Sequence, residues 1–362
     1  MKKYEIGVIG GTGVIGSSAI RALQKLTEYK VLASYRTQKK DVVSEKICWT
    51  KLDVFDAQEL ERFCEKCNVI LNCAGPLWEI EDRIGMACLQ TDTQYVDVSG
   101  NRKLYEMLSR ESNAIINKNL NFIISAGMYP GLSELFPSYC YNKLEKEVCC
   151  MEVYVANQGS KLSYNAAYDF LKGIEENEGY GMKYLTNNKI YQVSQNVPHI
   201  VSMGSPIGDM EMYPLLHFEF IRCAKKWNVK DCFFYYAYPS KEFMNEIMII
   251  NAMRHFKNSI DISECAWRLV EICQNKENRE ECTLLQIRFV LNDGKKEIYS
   301  FSYPGNANDL TGYAGACIAY NLIRGNIFSH PGVRLASDIN LPDCIIKDLM
   351  KLGVILFKKE EK

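Results

Sequence analysis

No stretch of this 362-residue chain approaches the run of about 18 or more apolar residues that a bilayer span needs, so a membrane is not an expected partner. Net charge is nearly absent as well: 43 basic and 44 acidic side chains leave a formal charge of −1. Without a basic field, nucleic acid and anionic lipid surfaces drop out, and a small molecule becomes the default partner. Histidine is scarce, at four residues, so each can be weighed singly. There is no internal repeat and no low-complexity linker, and no tail beyond the short Lys/Glu end from Lys358 to Lys362.

Cysteine is plentiful, but its distribution excludes a disulfide framework. Fifteen residues, an odd number, are scattered from Cys48 to Cys344, a pattern that fits reduced thiols in a cytoplasm. Cys64 and Cys67 have zinc or redox spacing, yet no second ligand pair follows at finger-like distance. The pair reads as the end of a helix leading into a strand. The opening, MKKYEIGVIGGTGVIGSSAIRAL, resembles an export signal only superficially. Glu5 breaks the apolar core, Gly7, Gly10, Gly11, Gly13 and Gly16 weaken a signal helix, and Ala19 to Leu23 continues as an amphipathic helix.

The same opening makes sense as strand, glycine turn and helix. Tyr4 to Ile9 is β-rich, and Gly10-Gly11-Thr12-Gly13-Val14-Ile15-Gly16 leads into apolar residues at Ile20, Leu23 and Leu26. Gly11, Gly13 and Gly16 form G-x-G-x-x-G in the context that gives it meaning. Gly11 is expected to permit the tight turn, Gly13 to leave room for a pyrophosphate, and Gly16 to let helix and strand approach. Free amides at the helix start would face the anion. No Lys-Ser/Thr pair follows the glycines, so a triphosphate loop is not supported. The next strand ends in Ser34-Tyr35-Arg36-Thr37, with Lys39 and Lys40 beyond, where an NAD site usually places an acidic residue. A guanidinium grips a 2′-phosphate that a carboxylate would repel. NADPH is therefore preferred over NAD, which stays admissible.

Further strands are expected at 52–54 with Asp53 at the end, at 68–76, at 94–100 and at 121–127, with helices between. Alternating helices and apolar strands imply a doubly wound parallel sheet, with ligands at the carboxyl ends of the strands. Asn72 to Pro76 would then flank the cofactor, where Gly75 permits close approach and Pro76 ends the strand.

The segments GGTGVIG, NCAGP, YVDVSG and SAGMYPGLS, in this order and spacing, resemble the saccharopine dehydrogenase-like (saccharopine reductase-type) family of NAD(P)-dependent oxidoreductases. The likeness covers about the first 135 residues and returns near Thr311-Gly312 and Gly332-Val333. It implies an α/β fold: a Rossmann domain over 1–135 completed by 311–362, and an inserted α+β substrate or dimerisation domain over 136–310. It also implies hydride transfer at a carbon–nitrogen bond. By motif, Gly11, Gly13 and Gly16 match the dinucleotide fingerprint, Arg36 the ribose-phosphate position and Asp53 the adenine-side loop. Cys73, Ala74, Gly75 and Pro76 match the nicotinamide-side loop, and Asp97 with Gly127 to Pro130 the floor of the cleft. The chain departs from the pattern in its middle segment, where no arginines can be placed as a clamp for substrate carboxylates.

From Cys149 onward, aromatic-rich alternation (CCMEVYVANQ, CFFYYAYPS, CTLLQIRFVLND, KKEIYSFSYP) suggests a mostly antiparallel sheet. Helical spacing runs over Ser163–Lys172, Phe243–Phe256, Ser263–Asn275 and Thr311–Arg324. Reduction of an imine needs a hydride and a proton, so a general acid or an ordered water is expected near the fifth and sixth strand ends. Tyr129 is a candidate donor. Asp97 reads equally as a catalytic group and as a buried cap of the VSG turn. His199 is expected in a Gly/Pro-rich loop able to close over a cleft. The function expected is a cytoplasmic NADPH-dependent reductase of a C=N bond in a small amine- or amino-acid-derived metabolite, carrier-bound intermediates included. A saccharopine- or opine-type dehydrogenase and a non-catalytic dinucleotide-binding regulator are the alternatives. Aromatic strands in the second domain also suit a homodimer.

Overall fold

The computed structural model describes residues 2–39, 44–176, 179–193, 199–253, 259–274 and 280–361. In chain order the first strands are β1 (Tyr4–Ile9), β2 (Val31–Tyr35), β3 (Ile47–Lys51), β4 (Cys67–Asn72), β5 (Gln94–Asp97) and β6 (Asn121–Ile124). Then come β7 (Val148–Gln158), β8 (Gly179–Gly181), β9 (Lys183–Thr186), β10 (Lys189–Gln192), β11 (His199–Ser202), β12 (Asp209–His217) and β13 (Asp231–Tyr236). The last are β14 (Cys282–Leu291), β15 (Lys296–Tyr303), β16 (Gly332–Leu335) and β17 (Ile355–Glu361). The chain divides into two compact units, Met1–Phe136 with Asn308–Gly353, and Pro137–Ala307 with Val354–Lys362. No described helix is long and apolar enough to cross a membrane.

The first unit holds a seven-stranded sheet in the order β16-β6-β5-β4-β1-β2-β3, and every pairing in it is parallel. Its central strands are apolar on both faces, with Ile6, Val8, Ile9, Val69, Ile70 and Leu71 all buried, as a sheet covered by helices on each side requires. Strand order reverses between β1 and β4, which places a crevice at their carboxyl ends. There Ile9 is in register with Asn72, and Asn72 with Asp97. The helix Ala307–Ile323 packs closely on the helix Val14–Leu26: a Cβ on Gly312 would lie 2.5 Å from the Ile15 carbonyl. Only a hydrogen at that position allows so near an approach. A helix ends at Cys64 and a strand begins at Cys67, as the spacing of that pair implies.

Five strands differ from expectation in their bounds or their partners. The third strand is Ile47–Lys51, not 52–54: Ile47 pairs with Val31 and Trp49 with Ala33, and the Leu52 amide closes the ladder on the Tyr35 carbonyl at 3.0 Å. It is the sheet's edge, half wetted, so it carries no continuous apolar run. β4, β5 and β6 stop at Asn72, Asp97 and Ile124, and the chain leaves each of them as loop. At the other end of the chain Ile355–Glu361 pairs with β15 of the second unit, Phe357 opposite Ser300, where 311–362 was expected to complete the first.

The second unit is built on a ten-stranded sheet whose main path runs β10-β9-β13-β7-β14-β15-β17. It is mostly antiparallel, but β13 and β7 are parallel neighbours. One face buries Val153, Val155, Phe234, Ile287, Phe289 and Phe301, and from the helix Phe218–Trp227 the Trp227 ring stacks with Tyr141 beside Phe289. On the other face the hairpin β11–β12 seals a smaller core of Tyr154, Val201, Met203, Met212 and Leu284. The helices Tyr164–Glu175, Lys241–Met253 and Ser259–Gln274 occupy the expected stretches; residues 254–258 and Asn275, which the expectation included, lie outside the described residues.

Candidate functional site

The glycine turn at the end of β1 is determined by backbone geometry. Gly10, not Gly11, takes the left-handed conformation, with φ +75°, and a Cβ there would sit 2.8 Å from the Ala74 nitrogen. Its amide donates to Ser34 Oγ at 3.0 Å and its carbonyl accepts the Gly13 amide at 3.0 Å. Gly11 rests on β2 and β3, where a Cβ would lie 3.1 Å from the Ser34 carbonyl and from the Trp49 ring. Gly16 is the tightest position, its Cβ site falling 2.1 Å from the Gly10 carbonyl oxygen. The helix Val14–Leu26 starts at Gly13 without a side-chain cap and with no acidic residue in its first turn. An uncapped, acid-free helix start presents amide donors and positive dipole, which suits a phosphate. Gly13 and Val14 are exposed and Thr12 and Ile15 partly so. The cradle therefore fits a dinucleotide pyrophosphate.

Ser34 is buried and spent on Gly10, so its work is to hold the turn. Arg36 and Thr37 are exposed just beyond the carboxyl end of β2, on the same sheet edge. Lys39 is exposed too, whereas Lys40 lies outside the described residues. Asp53 is exposed after β3, and its Oδ1 accepts the Phe55 amide at 3.0 Å in an Asx turn.

Beyond β4, the Cys73 amide donates to the Ile9 carbonyl at 2.9 Å and the Ala74 amide to Asn72 Oδ1 at 3.0 Å. Cys73, Ala74, Gly75 and Pro76 are all partly exposed, and the Gly75–Pro76 bond is cis. Beneath them Asp97 is fully buried. Its Oδ2 accepts from Asn72 Nδ2 at 3.0 Å and from the Tyr95 hydroxyl, and its Oδ1 accepts the Ser99 amide at 2.8 Å. Burial pushes the Asp97 carboxyl up to about 6, against the three donors that hold it down. Burial, and then Asp97 itself, push the Tyr95 phenol well above its ordinary value. The Cys73 thiol is raised by desolvation and by the same carboxylate.

At the end of β6, Tyr129 is half-buried in a loop set by the Met128 amide donating to Thr311 Oγ1 at 3.3 Å and by the Gly131 amide donating to Glu134 Oε2 at 2.8 Å. His199 belongs to the second unit. It opens strand β11 rather than sitting in a loop, with its exposed ring stacked on Tyr235 at 5.4 Å and on Tyr154 at 6.5 Å. Pairing of His199 with Met212 across the hairpin explains the difference. One sheet edge thus gathers Gly10 to Gly16, Ser34, Arg36, Thr37, Asp53, Cys73 to Pro76, Asp97 and Tyr129. Tyr95 was missed as a site residue, although a tyrosine two places before Asp97 on one strand face was a visible signal; Asn72 was expected to flank the cofactor, but its bond to Asp97 was not.

Residues 6–152 match the model of the NAD dependent epimerase/dehydratase family. Among solved structures, saccharopine dehydrogenase (L-Glu forming) from Saccharomyces cerevisiae superposes with a TM-score of 0.71 at 15% identity, over 99% of this chain and 100% of that one. A mutant meso-DAP dehydrogenase from Clostridium tetani gives 0.48 at 14% identity over 95% and 96% of the two chains. No curated protein matches the sequence. The class that fold and turn define is the dinucleotide-binding Rossmann architecture joined to a second α+β unit. Its particular form is the saccharopine dehydrogenase fold.

Proposed function

We propose that the chain is an NADPH-dependent reductase acting on a C=N bond of a small amine- or amino-acid-derived metabolite. The observation that carries this reading is the uncapped, acid-free helix start behind Gly10 to Gly16, together with exposed Arg36 where a ribose-binding carboxylate would otherwise stand. The amides of Val14 and Ile15 would hold the pyrophosphate beside the turn that the Gly13 amide closes on Gly10, Arg36 and Thr37 the 2′-phosphate, Asp53 the adenine-side loop, and Cys73 to Pro76 the nicotinamide side. Bound there, the reduced dinucleotide supplies a hydride. Tyr129, half-buried at the end of β6, donates or relays the proton to nitrogen. Asp97, whose oxygens are engaged by Tyr95, Asn72 and Ser99, orders the strand ends.

With no carboxylate clamp legible in the middle segment, a carrier-bound imine of a biosynthetic pathway is the substrate we favour, in a cytoplasmic setting. The half-exposed aromatic face of the second sheet suits a homodimer, checked by light scattering with mass analysis. Titration with NADPH and NADH followed by a turnover screen tests the function: tighter NADPH binding and oxidation with thiazoline or carrier-bound imines are expected. Binding of neither dinucleotide overturns it. Turnover of saccharopine alone would instead establish the amino-acid dehydrogenase reading, which the whole-chain fold likeness favours. Binding without turnover of any imine or amino acid would establish the regulator.

A further inference from the structure

We propose that Asn72 positions the nicotinamide-side loop, Cys73 to Pro76, for the dinucleotide, and that an ionised Asp97 fixes the amide orientation that does so. The inference rests on the dinucleotide reading of the first unit. Asn72 is buried at the end of β4, and its amide has two duties that fix its orientation: Oδ1 accepts the Ala74 amide at 3.0 Å, and Nδ2 donates to Asp97 Oδ2 at 3.0 Å. An ionised carboxylate only accepts, so Nδ2 must face Asp97 and Oδ1 must face the loop. On its far side the loop backbone abuts Gly10, which Ser34 Oγ holds. The loop is thus gripped between the glycine turn and one side-chain amide.

Protonation of Asp97 upsets this arrangement because all three of its partners are donors. The Ser99 amide is backbone and cannot turn. When one carboxyl oxygen becomes a hydroxyl, either the Tyr95 hydroxyl rotates to accept or the Asn72 amide flips, and a flipped amide points Nδ2 at the Ala74 N–H and releases the loop. The titratable groups facing Asp97 are Tyr95 on its own strand and Cys73 after β4, with Cys88 of the helix Arg83–Gln90 acting on Tyr95. From the loop after β6 the neighbour is the Ala126 amide, which donates to the Asp97 carbonyl at 2.8 Å, and from the helix Ala307–Ile323 it is Gly315, against Val98 and Leu71. Burial brings the carboxyl to about 6, within reach of a titration of the folded protein. If the bound form needs the carboxylate, affinity must fall as pH drops through that value.

The test is fluorescence titration of the full chain with NADPH and with NADH between about pH 8 and about pH 5, where the folded carboxyl changes charge. Wild type is expected to bind roughly tenfold more weakly at the acid end. Asn72→Ala should lower affinity about tenfold at neutral pH and flatten the profile. Tyr95→Phe removes a donor that holds Asp97 ionised, so its carboxyl rises further and the midpoint moves to higher pH. The 2′-phosphate of NADPH also titrates near about 6, but its midpoint does not move with Tyr95 and NADH lacks it. An unchanged midpoint in Tyr95→Phe, or wild-type affinity and profile in Asn72→Ala, overturns the proposal. Should Asn72→Ala fail to fold by circular dichroism, Tyr95→Phe decides alone. If wild type binds neither dinucleotide at any pH, the dinucleotide reading itself falls and this inference with it.

Discussion

The two sheets meet opposite demands. In the first unit the strands are all parallel and the central ones apolar on both faces, and the polar groups gather at one edge, where Asn72 and Tyr95 both donate to Asp97 and Ser34 separately holds the Gly10 amide. In the second, aromatic side chains pack ring on ring: buried Tyr154 stacks on the partly buried Tyr235 at 5.1 Å, and the Arg288 guanidinium lies 4.6 Å from the Tyr154 ring. The glycines divide the same way. Those of the first unit's turn lack a Cβ because backbone fills its place, whereas Gly173 in the helix Tyr164–Glu175 has nothing within 4 Å. One region is constrained by backbone approach and hydrogen-bond direction, the other by area and ring stacking, so substitutions should act differently in each.

The largest expected effect is Gly16→Ala. The added methyl would force the helix off the Gly10 carbonyl, costing about 1–3 kcal/mol in a denaturant melt and abolishing dinucleotide binding; normal binding would show that the turn is not the cofactor cradle. Next is Arg36→Asp, expected to leave stability unchanged while weakening NADPH against NADH about 10- to 100-fold by calorimetry, the worth of charge-assisted hydrogen bonds. An unchanged ratio would remove Arg36 from the site.

Asp97 makes a pH prediction of fixed sign. Its folded carboxyl lies near about 6, above the ordinary 3.8, so between those values the folded state binds more protons than the unfolded chain. The group's contribution to stability is therefore full at acid pH and falls as pH rises from about 4 to about 6, by on the order of 3 kcal/mol. Comparing melts of wild type and Asp97→Asn across that window isolates it, and a difference that grows toward acid pH in the opposite sense would refute the burial account. In the second unit Tyr235→Leu keeps the apolar area but loses the stack, for about 0.5–1.5 kcal/mol and no loss of cofactor affinity. The smallest effect has the other sign: Gly173→Ala should stabilise by about 0.5–1 kcal/mol in the same melts, because helix propensity improves and no atom stands in the way. A loss there would mean that the glycine is needed for contact.

What could be read from the chain depended on range. The strand–turn–helix at Gly10 to Gly16 was legible since apolar periodicity and glycine spacing are local signals. β3 was misplaced because an edge strand needs only Ile47 buried and shows no apolar run. His199 reads as loop because the residues around it are rich in Gly and Pro, while its strand exists only through pairing with β12. Asn72 reads as part of a loop motif, not as its anchor, because its partner Asp97 lies 25 residues away.

By itself the sequence determined the alternation of strands and helices, the glycine turn and the cation at the end of β2, all of which follow from periodicity and residue chemistry within a few neighbours. Only the tertiary structure decided that Gly10 rather than Gly11 turns the chain, that β17 closes the second sheet, and that Asp97 faces three donors. These depend on which backbone lies across from which, and a side chain's hydrogen-bond partners are set by strand register between segments that the linear order leaves far apart.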